Sequence, residues 1–223
     1  MRTARGHFVQ PPSEFPMARI TSHEALRSIL QPPRPTTISK ISDRLDAQAE
    51  TFVRASPFAM LATRNAAGTV EVSPKGDAPG FVRIEDARTL LMPERAGNNL
   101  AFGLQNIIDT GSVAMIFLRP GTGETLRITG TAELHDDADL LQSLGSAGRP
   151  ALLAIRVHVE RCYFHCARAF LRSRLWDPAS WPQAQRISFG AMIAARTGGD
   201  ASVAEQIDAN VQRAYTTNLW SNG

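Results

Sequence analysis

The pattern of apolar and polar positions divides the chain into a helical start, a strand-rich middle and a helical end. Helical spacing of apolar residues predicts a helix at 22–30, behind a capping serine, and a second at 43–55. The proline-rich stretch 31–37 between them predicts a linker, and residues 1–20 are predicted to be irregular. From about residue 58 the pattern changes to period two, which is typical of strands.

Seven strands are predicted in the middle of the chain, mostly joined by short turns. They lie at 58–63, 69–73, 81–84, 89–92, 112–118, 124–134 and 151–164. Further helices are predicted at 98–109 and 138–145, and two more within 186–216 flank a turn at 197–200. Because successive hairpins favour antiparallel pairing, we expect a mainly β (α+β) fold, a barrel or sandwich with flanking helices.

Composition and charge limit the classes of function. The 223 residues are 43% hydrophobic and 20% charged, which suits a globular protein that needs no disulfide to hold its core. The net charge is only +3 and the chain has only two lysines, Lys40 and Lys75, so we expect no nucleic-acid partner. No stretch has the length of a membrane helix or the features of a signal peptide. Two cysteines, Cys162 and Cys166, do not make a disulfide framework, which predicts a cytoplasmic protein.

Two polar segments lie where strands are predicted to end. The segment 73–77 (Ser-Pro-Lys-Gly-Asp) contains Lys75, which either faces an anionic ligand or is a solvated turn lysine. The segment 93–99 (Pro-Glu-Arg-Ala-Gly-Asn-Asn) precedes a predicted helix, whose unpaired N–H groups attract anions. Ordinary helix capping by asparagine is the alternative interpretation of this second segment.

Two more polar segments follow later in the chain. The segment 121–127 (Gly-Thr-Gly-Glu-Thr-Leu-Arg) lacks the Lys-Ser/Thr of a P-loop and the third glycine of a dinucleotide fingerprint. It therefore predicts a hairpin turn that places Thr125 and Arg127 on one face of a strand. The segment 168–176 offers several arginines and Trp176 to a ligand, or is a solvated basic helix end.

Metal binding is not expected at the cysteines. On a strand, Cys162 and Cys166 share one face while His165 points to the other, and a zinc site needs four ligands. The acidic stretch 135–139 lacks the ligand spacing, the turn glycine and the terminal glutamate of a calcium loop. We predict no metal site, and no catalytic triad can be inferred.

Read in order, the segments resemble a known family. These are 56–63 (Ser-Pro-Phe-Ala-Met-Leu-Ala-Thr), 72–77 (Val-Ser-Pro-Lys-Gly-Asp), 79–82 (Pro-Gly-Phe-Val), 97–100 (Gly-Asn-Asn-Leu) and 124–130 (Glu-Thr-Leu-Arg-Ile-Thr-Gly). They resemble members of the pyridoxamine-5′-phosphate-oxidase-like superfamily that bind flavin mononucleotide (FMN). The stretch 164–176 resembles the C-terminal signature of one bacterial branch. The resemblance covers about residues 40–180 and implies an antiparallel split β-barrel.

The resemblance also implies a homodimer with two FMN sites at the subunit interface. By position, the resemblance implies that Ser73 and Lys75 contact the flavin ring or the phosphate. The backbone of Met92 and Pro93 would lie along the ring. The phosphate would be held by Arg95, Asn98 and Asn99. The ring or ribityl chain would be approached by Thr125 and Arg127, and the partner subunit would close the site with Arg172, Arg174 and Trp176.

The chain departs from the biosynthetic oxidase at two places. Asn98 and Asn99 stand where that enzyme has an Arg-Lys pair, and its Arg-x-His-Asp-Arg-type substrate segment has no counterpart. We therefore expect an FMN-dependent oxidoreductase acting on a small molecule, not an oxidase of vitamin B6. The alternatives are a non-catalytic flavin-binding redox sensor or carrier, and a haem-handling member of the same fold. The expected divisions are an N-terminal extension (1–37), the FMN-binding barrel (38–180) and a C-terminal helical extension (181–223).

Overall fold

The structure of the chain is a computed structural model that describes residues 18–217, 219 and 220. The described residues fall into two units that divide between residues 38 and 39. The first unit contains two short helices, α1 (His23–Ile29) and α2 (Pro35–Ile38). Ser22 caps α1 as predicted, because its side chain accepts a hydrogen bond from the backbone N–H of Ala25 at 3.1 Å.

The linker prediction for 31–37 is wrong in its second half. Helix α2 begins at Pro35, whose fixed φ angle suits the first position of a helix and whose missing N–H is not needed there. The irregular segment predicted for residues 1–20 lies, up to residue 17, outside the described residues.

The second unit contains seven strands, as the sequence predicts. They are β1 (Phe58–Arg64), β2 (Val70–Gly76), β3 (Arg83–Asp86), β4 (Thr89–Glu94), β5 (Ser112–Leu118), β6 (Thr125–His135) and β7 (Leu153–His165). Its helices are α3 (Ala47–Ala55), α4 (Phe102–Thr110), α5 (Ala138–Ser143), α6 (Arg168–Ser173), α7 (Phe189–Thr197) and α8 (Ala201–Thr216), with a short 3-10 turn at Pro178–Ser180.

The seven strands form one antiparallel sheet in the order β2-β1-β5-β6-β7-β4-β3. Side chains on β1 and β5 alternate between buried and half-buried, so Leu61, Met115 and Phe117 point into the core. β2 lies at one edge of this sheet and β4 beside the opposite edge, yet Lys75 of β2 contacts Glu94 of β4. The sheet must therefore curl until its ends meet through side chains, which is the expected split barrel.

Two helices begin later than predicted, for different reasons. Helix α3 starts at Ala47 and not at residue 43, because the Asp46 carboxylate accepts from the N–H of Ala49 at 2.8 Å and caps it there. Helix α4 starts at Phe102 and not at residue 98, because the preceding chain turns through left-handed conformations at Asn99 (φ 57°) and Ala101 (φ 55°). The prediction that Asn98 and Asn99 open a helix is therefore wrong, and both lie in the loop before α4.

The end of the chain forms a helical hairpin, as expected for 186–216. Gly198 (φ 73°) ends α7, and Asp200 caps α8 by accepting from the N–H of Val203 at 3.1 Å. The two helices pack closely at Gly190, where an added Cβ would lie 1.9 Å from the carbonyl oxygen of Ala204. None of the helices within the described ranges is both long enough and apolar enough to span a bilayer.

Candidate functional site

Five of the predicted ligand residues line one cavity of about 390 Å³ beside β2. They are Ser73, Lys75, Arg95, Asn98 and Asn99. Its walls also include the apolar side chains of Leu61, Val72, Leu100, Phe102, Leu104 and Leu152. A cavity of this size, mostly apolar with a few converging polar groups, is typical of a small-molecule site.

Strand alternation aims the β2 side chains into this cavity. Ser73 and Lys75 are paired with Leu61 and Ala59 on β1, which point into the core, so they share the inner face of the sheet. Lys75 has a side chain only 14% exposed, so its interpretation as a solvated turn lysine is wrong. Its proline neighbour, Pro74, lies within an edge strand, where the missing N–H breaks no ladder bond.

The ammonium group of Lys75 is held by a carboxylate of the opposite sheet end. Its Nζ donates to Oε2 of Glu94 at 2.5 Å, and the Glu94 side chain is 17% exposed. Both residues line the cavity. An ion pair that is partly removed from water is screened less than a surface pair.

Arg95 is held from behind by a buried carboxylate. Its Nε donates to Oδ2 of Asp77 at 2.8 Å, and Asp77 has a side chain only 2% exposed. The other oxygen of Asp77 accepts from the backbone N–H of Ala78 at 2.7 Å and from the hydroxyl of Ser146 at 3.0 Å. Because Asp77 engages only Nε, the two terminal nitrogens of Arg95 have no partner among the described residues, and Arg95 lines the cavity.

The start of α4 adds backbone donors at the cavity wall. No side chain among the described residues caps this helix, so the first-turn N–H groups of α4 lack the usual side-chain acceptor there. Asn98 does not cap it, since its side-chain oxygen accepts from the N–H of Leu100 at 3.1 Å. A Cβ added at Gly103 would lie 3.5 Å from Oγ1 of Thr63 and 3.9 Å from Oγ of Ser73, which shows how closely α4 approaches β1 and β2.

Met92 and Pro93 are buried in β4, where they pair with Ile155 and Ala154 of β7. On its other side β4 pairs with β3 only as far as Leu91. Beyond that point, one side of the β4 backbone pairs with no strand in the part of the chain that the structure describes. Pro93 lines a smaller cavity that also touches Lys75 and Arg95.

The remaining predicted residues do not line this cavity. They are Thr125, Arg127, Arg172, Arg174 and Trp176. Arg127 lies on the outer face of the sheet, 5.8 Å from the ring centre of Tyr163 and beside Ile116 of β5.

The aromatic and the arginines after β7 are arranged around α6. The indole of Trp176 donates to the carbonyl oxygen of Thr122 at 2.9 Å and stacks on Phe170 with ring centres 5.6 Å apart. Arg174 pairs with Asp177 at 2.6 Å, whereas Arg172 is exposed. Within one chain the predicted ligand residues therefore do not all lie at one cavity.

The cysteines are chemically different from each other. Burial raises the pKa of the Cys162 thiol to about 12, and the negative charge of Asp46 adds to this rise, whereas Cys166 is exposed. Among the residues that the structure describes, no three His, Cys, Asp or Glu side chains form a group that could hold a metal ion.

Three residues of the site were missed by the sequence analysis. Asp77 is part of a quoted motif but received no role, and Glu94 lies between two predicted contacts, Pro93 and Arg95. Ser146 is about 70 residues from Asp77 in the chain, so no local spacing connects them. The sequence offered one signal: an acidic residue lies close to each predicted cation. Asp77 follows Lys75 by two residues, and Glu94 directly precedes Arg95.

Comparisons with known proteins give the family. The protein-family model described as pyridoxamine 5′-phosphate oxidase matches residues 45–166, more than half of the 223-residue chain. The comparison with curated proteins found no match.

Several solved structures are similar to parts of the chain. HupZ of Group A Streptococcus is 22% identical, over 53% of this chain and 91% of that chain, with a TM-score of 0.43. General Stress Protein 26 of Bacillus anthracis is 11% identical, over 52% and 88% respectively, with a TM-score of 0.40. An FMN-binding protein of Syntrophomonas wolfei is 9% identical, over 63% and 95%, with a TM-score of 0.39. Because these identities and TM-scores are low, the assignment rests on the family model: the chain belongs to the pyridoxamine 5′-phosphate oxidase family.

Proposed function

We propose that this protein binds FMN in the cavity beside β2 and is an oxidoreductase that acts on a small molecule as a homodimer. The observation that carries the proposal is that two separate segments of the chain line one cavity. They contribute Ser73 and Lys75 from one segment and Arg95, Asn98 and Asn99 from the other. The family match supports a flavin site, and the donors around the cavity fit the chemistry of FMN.

The phosphate end of FMN needs several hydrogen-bond donors. A phosphate monoester carries a charge of about −1.5 to −2 and three strong acceptor oxygens. The free terminal nitrogens of Arg95 and the uncapped start of α4 supply charged and neutral donors on the same cavity. The side-chain amides of Asn98 and Asn99 would add uncharged donors.

The ring end of FMN needs an apolar slot with a few polar groups. Leu61, Leu104 and Leu152 provide apolar walls, and Ser73 and Lys75 place donors between them. When bound, FMN supplies the redox chemistry, and the protein orients the ring and adjusts its electrostatics. The unpaired side of β4 at Met92 and Pro93 is available for backbone contacts along the ring.

A second copy of the chain would complete the charge of the site. The charged residues that line the cavity are Glu71, Lys75, Glu94 and Arg95, two negative and two positive, so within one chain they offset each other. The phosphate of FMN therefore needs further cations. Arg127 and Arg172 lie outside the cavity of their own chain and would reach that of the partner.

The outer face of β2, β1 and β5 is suited to such a partner. Most of its half-buried and exposed side chains are apolar, among them Val72, Met60, Ala62 and Ile116. Val72 also lines the cavity, so this apolar face continues into the proposed cofactor site. Extended apolar patches on a surface usually mark an interface.

Two alternatives make different predictions. Among the described lining residues of the cavity there is no His, Cys, Met or Tyr, the usual protein ligands of haem iron, which favours flavin. A flavin-binding sensor or carrier would share the cavity, and only turnover separates it from an enzyme. The cytoplasmic location inferred from the cysteines stays a prediction.

The test is a titration of the purified full-length protein with FMN and, in parallel, with riboflavin, which lacks the phosphate. We expect FMN to bind more tightly, and Arg95→Ala to weaken FMN binding about tenfold or more without changing riboflavin binding, since a charge-assisted bond contributes about 1.5–3 kcal/mol. Arg156→Ala, which removes an exposed arginine outside the cavity, is the matched control. A protein that takes up no FMN would refute the proposal.

Turnover is tested on the loaded protein. Under anaerobic conditions, NADH or NADPH is added and the flavin absorbance is followed. Bleaching followed by reoxidation with a small-molecule acceptor supports an enzyme. A flavin that binds but is reduced by neither donor favours the sensor or carrier.

A further inference from the structure

We infer that Glu94 is a specificity-determining residue. Its carboxylate neutralises Lys75, so the site accepts only one anionic group, the phosphate of the cofactor. The substrate is therefore an uncharged molecule. This inference rests on the proposed function, because it concerns the same cavity. It assigns a role to a residue for which neither the sequence motifs nor the family match predicts one.

The geometry shows that Lys75 is already engaged. Its Nζ lies 2.5 Å from Oε2 of Glu94, and both side chains are less than one-fifth exposed. A second anion approaching Lys75 would have to displace Glu94 or accept its repulsion at close range. In a partly desolvated cavity that repulsion is stronger than in water.

The two cations of the cavity differ in how their carboxylates hold them. Asp77 binds Arg95 through Nε from outside the cavity wall and leaves its terminal nitrogens available. Glu94, in contrast, lines the cavity itself and presents its own negative charge there. Arg95 can therefore still bind a phosphate, whereas Lys75 and Glu94 together present a neutral pair.

The other acidic residue that lines the cavity acts in the same direction. Glu71 lies two residues before Ser73 on the same face of β2 and also lines the cavity. Once the phosphate of FMN is bound by Arg95 and by the arginines proposed to come from the partner, the remaining charged lining residues are Lys75 against Glu71 and Glu94. A substrate with a phosphate or carboxylate beside Lys75 would meet net negative charge, and an uncharged substrate would not.

The experiment titrates inorganic phosphate into the FMN-loaded protein and follows the flavin spectrum. We expect no saturable change in the wild type, and saturable binding in Glu94→Gln that is at least about tenfold tighter, because a charge-assisted bond to Lys75 becomes available. In Lys75→Met/Glu94→Gln this gain should disappear, since the cation is gone. Glu85→Gln, which removes an exposed carboxylate paired with Arg156, is the matched control.

The outcomes separate this inference from the proposed function. Wild-type protein that binds phosphate as tightly as Glu94→Gln overturns the inference, and so does a gain that persists without Lys75. The same titrations are repeated without FMN in proteins that also carry Arg95→Ala, so that phosphate bound by Arg95 does not contribute, and they are followed by thermal unfolding and by NMR of phosphate. A protein that does not bind FMN refutes the function, and the flavin-free arm still decides whether Glu94 controls anion binding through Lys75. If Glu94→Gln does not fold, Glu94→Asp takes its place and should show a smaller gain of the same sign.

Discussion

The ammonium nitrogen of Lys75 lies 2.5 Å from a carboxylate oxygen of Glu94, and this ion pair joins β2, at one edge of the sheet, to β4 near the other. Asp77 and Arg95, immediately beyond the same two strands, form a second link at 2.8 Å. Lys75, Glu94 and Arg95 also line the cavity assigned to FMN, and Asp77 holds Arg95 from outside the cavity wall. The side chains that close the barrel are therefore the ones that form the proposed site.

Removing the buried partner of Arg95 should destabilise the fold. In Asp77→Ala, Arg95 and Ser146 lose their acceptor, and we expect the free energy of unfolding to fall by about 2–3 kcal/mol, because a partly buried charge is left unpaired. Urea unfolding followed by circular dichroism measures this change. Asp43→Ala, which removes an exposed carboxylate paired with Arg88, should change stability little. Equal losses in the two variants would contradict the role assigned to Asp77.

The strands could be predicted from the sequence because each has a local pattern of apolar and polar residues. On β1 and β5, alternate residues such as Leu61 and Met115 are apolar and buried. This period of two is visible within a few consecutive residues of the sequence. The residue at which α4 begins could not be predicted from the sequence. Asn99 and Ala101 adopt left-handed conformations, a choice that depends on how the loop packs and not on helix propensity.

The site was only partly predictable for a related reason. Motif order brought Ser73, Lys75 and Arg95 into one hypothesis, and the structure places them on one cavity. The pairing of Lys75 with Glu94 needs the sheet to curl across the six strands from β2 to β4, which no local pattern encodes. The spacing of residues in the sequence also does not indicate that Thr125 and Arg127 lie outside the cavity of their own chain.

Placing a charge on the outer sheet face should separate the proposed dimer. Met60 lies there between Pro74 of β2 and Ile116 of β5, so Met60→Glu would put a carboxylate into an apolar interface. We expect a monomer by analytical ultracentrifugation and weaker FMN binding, because the partner's arginines are lost. Met60→Leu, which keeps apolar volume, should stay dimeric. A wild-type monomer that binds FMN fully would refute the shared site.

The two thiols should react at very different rates. Cys166 is exposed and should be modified rapidly by a thiol reagent at pH 8, whereas Cys162 is buried with a pKa raised to about 12 and should react only on unfolding. The reagent is added to native and to urea-unfolded protein, and the modified residues are identified by mass spectrometry. Rapid modification of Cys162 in the native protein would contradict its burial.

The raised pKa of Cys162 also predicts a pH dependence of stability. The unfolded thiol loses its proton near its ordinary value of 9.0, while the folded thiol keeps it up to about pH 12. The contribution of this residue is therefore fully present below pH 9 and declines as the pH rises from 9 towards 12. Cys162→Ala should flatten this part of the profile of unfolding free energy against pH, and Cys166→Ala should leave it unchanged.

Gly130 of β6, which lies opposite a bulge in β7, should tolerate no side chain. The register of β6 against β7 shifts between Thr129 and Gly130, and an added Cβ at Gly130 would lie 1.9 Å from the carbonyl oxygen of His158. Since that oxygen belongs to the backbone of a central strand, Gly130→Ala should lower the free energy of unfolding by about 3 kcal/mol. Gly97→Ala is the control, because its Cβ would meet nothing within 4 Å and its effect should stay within about 0.5 kcal/mol. Chemical unfolding of both variants beside the wild type measures the difference, and a Gly130→Ala variant as stable as Gly97→Ala would show that β6 and β7 pair in another register.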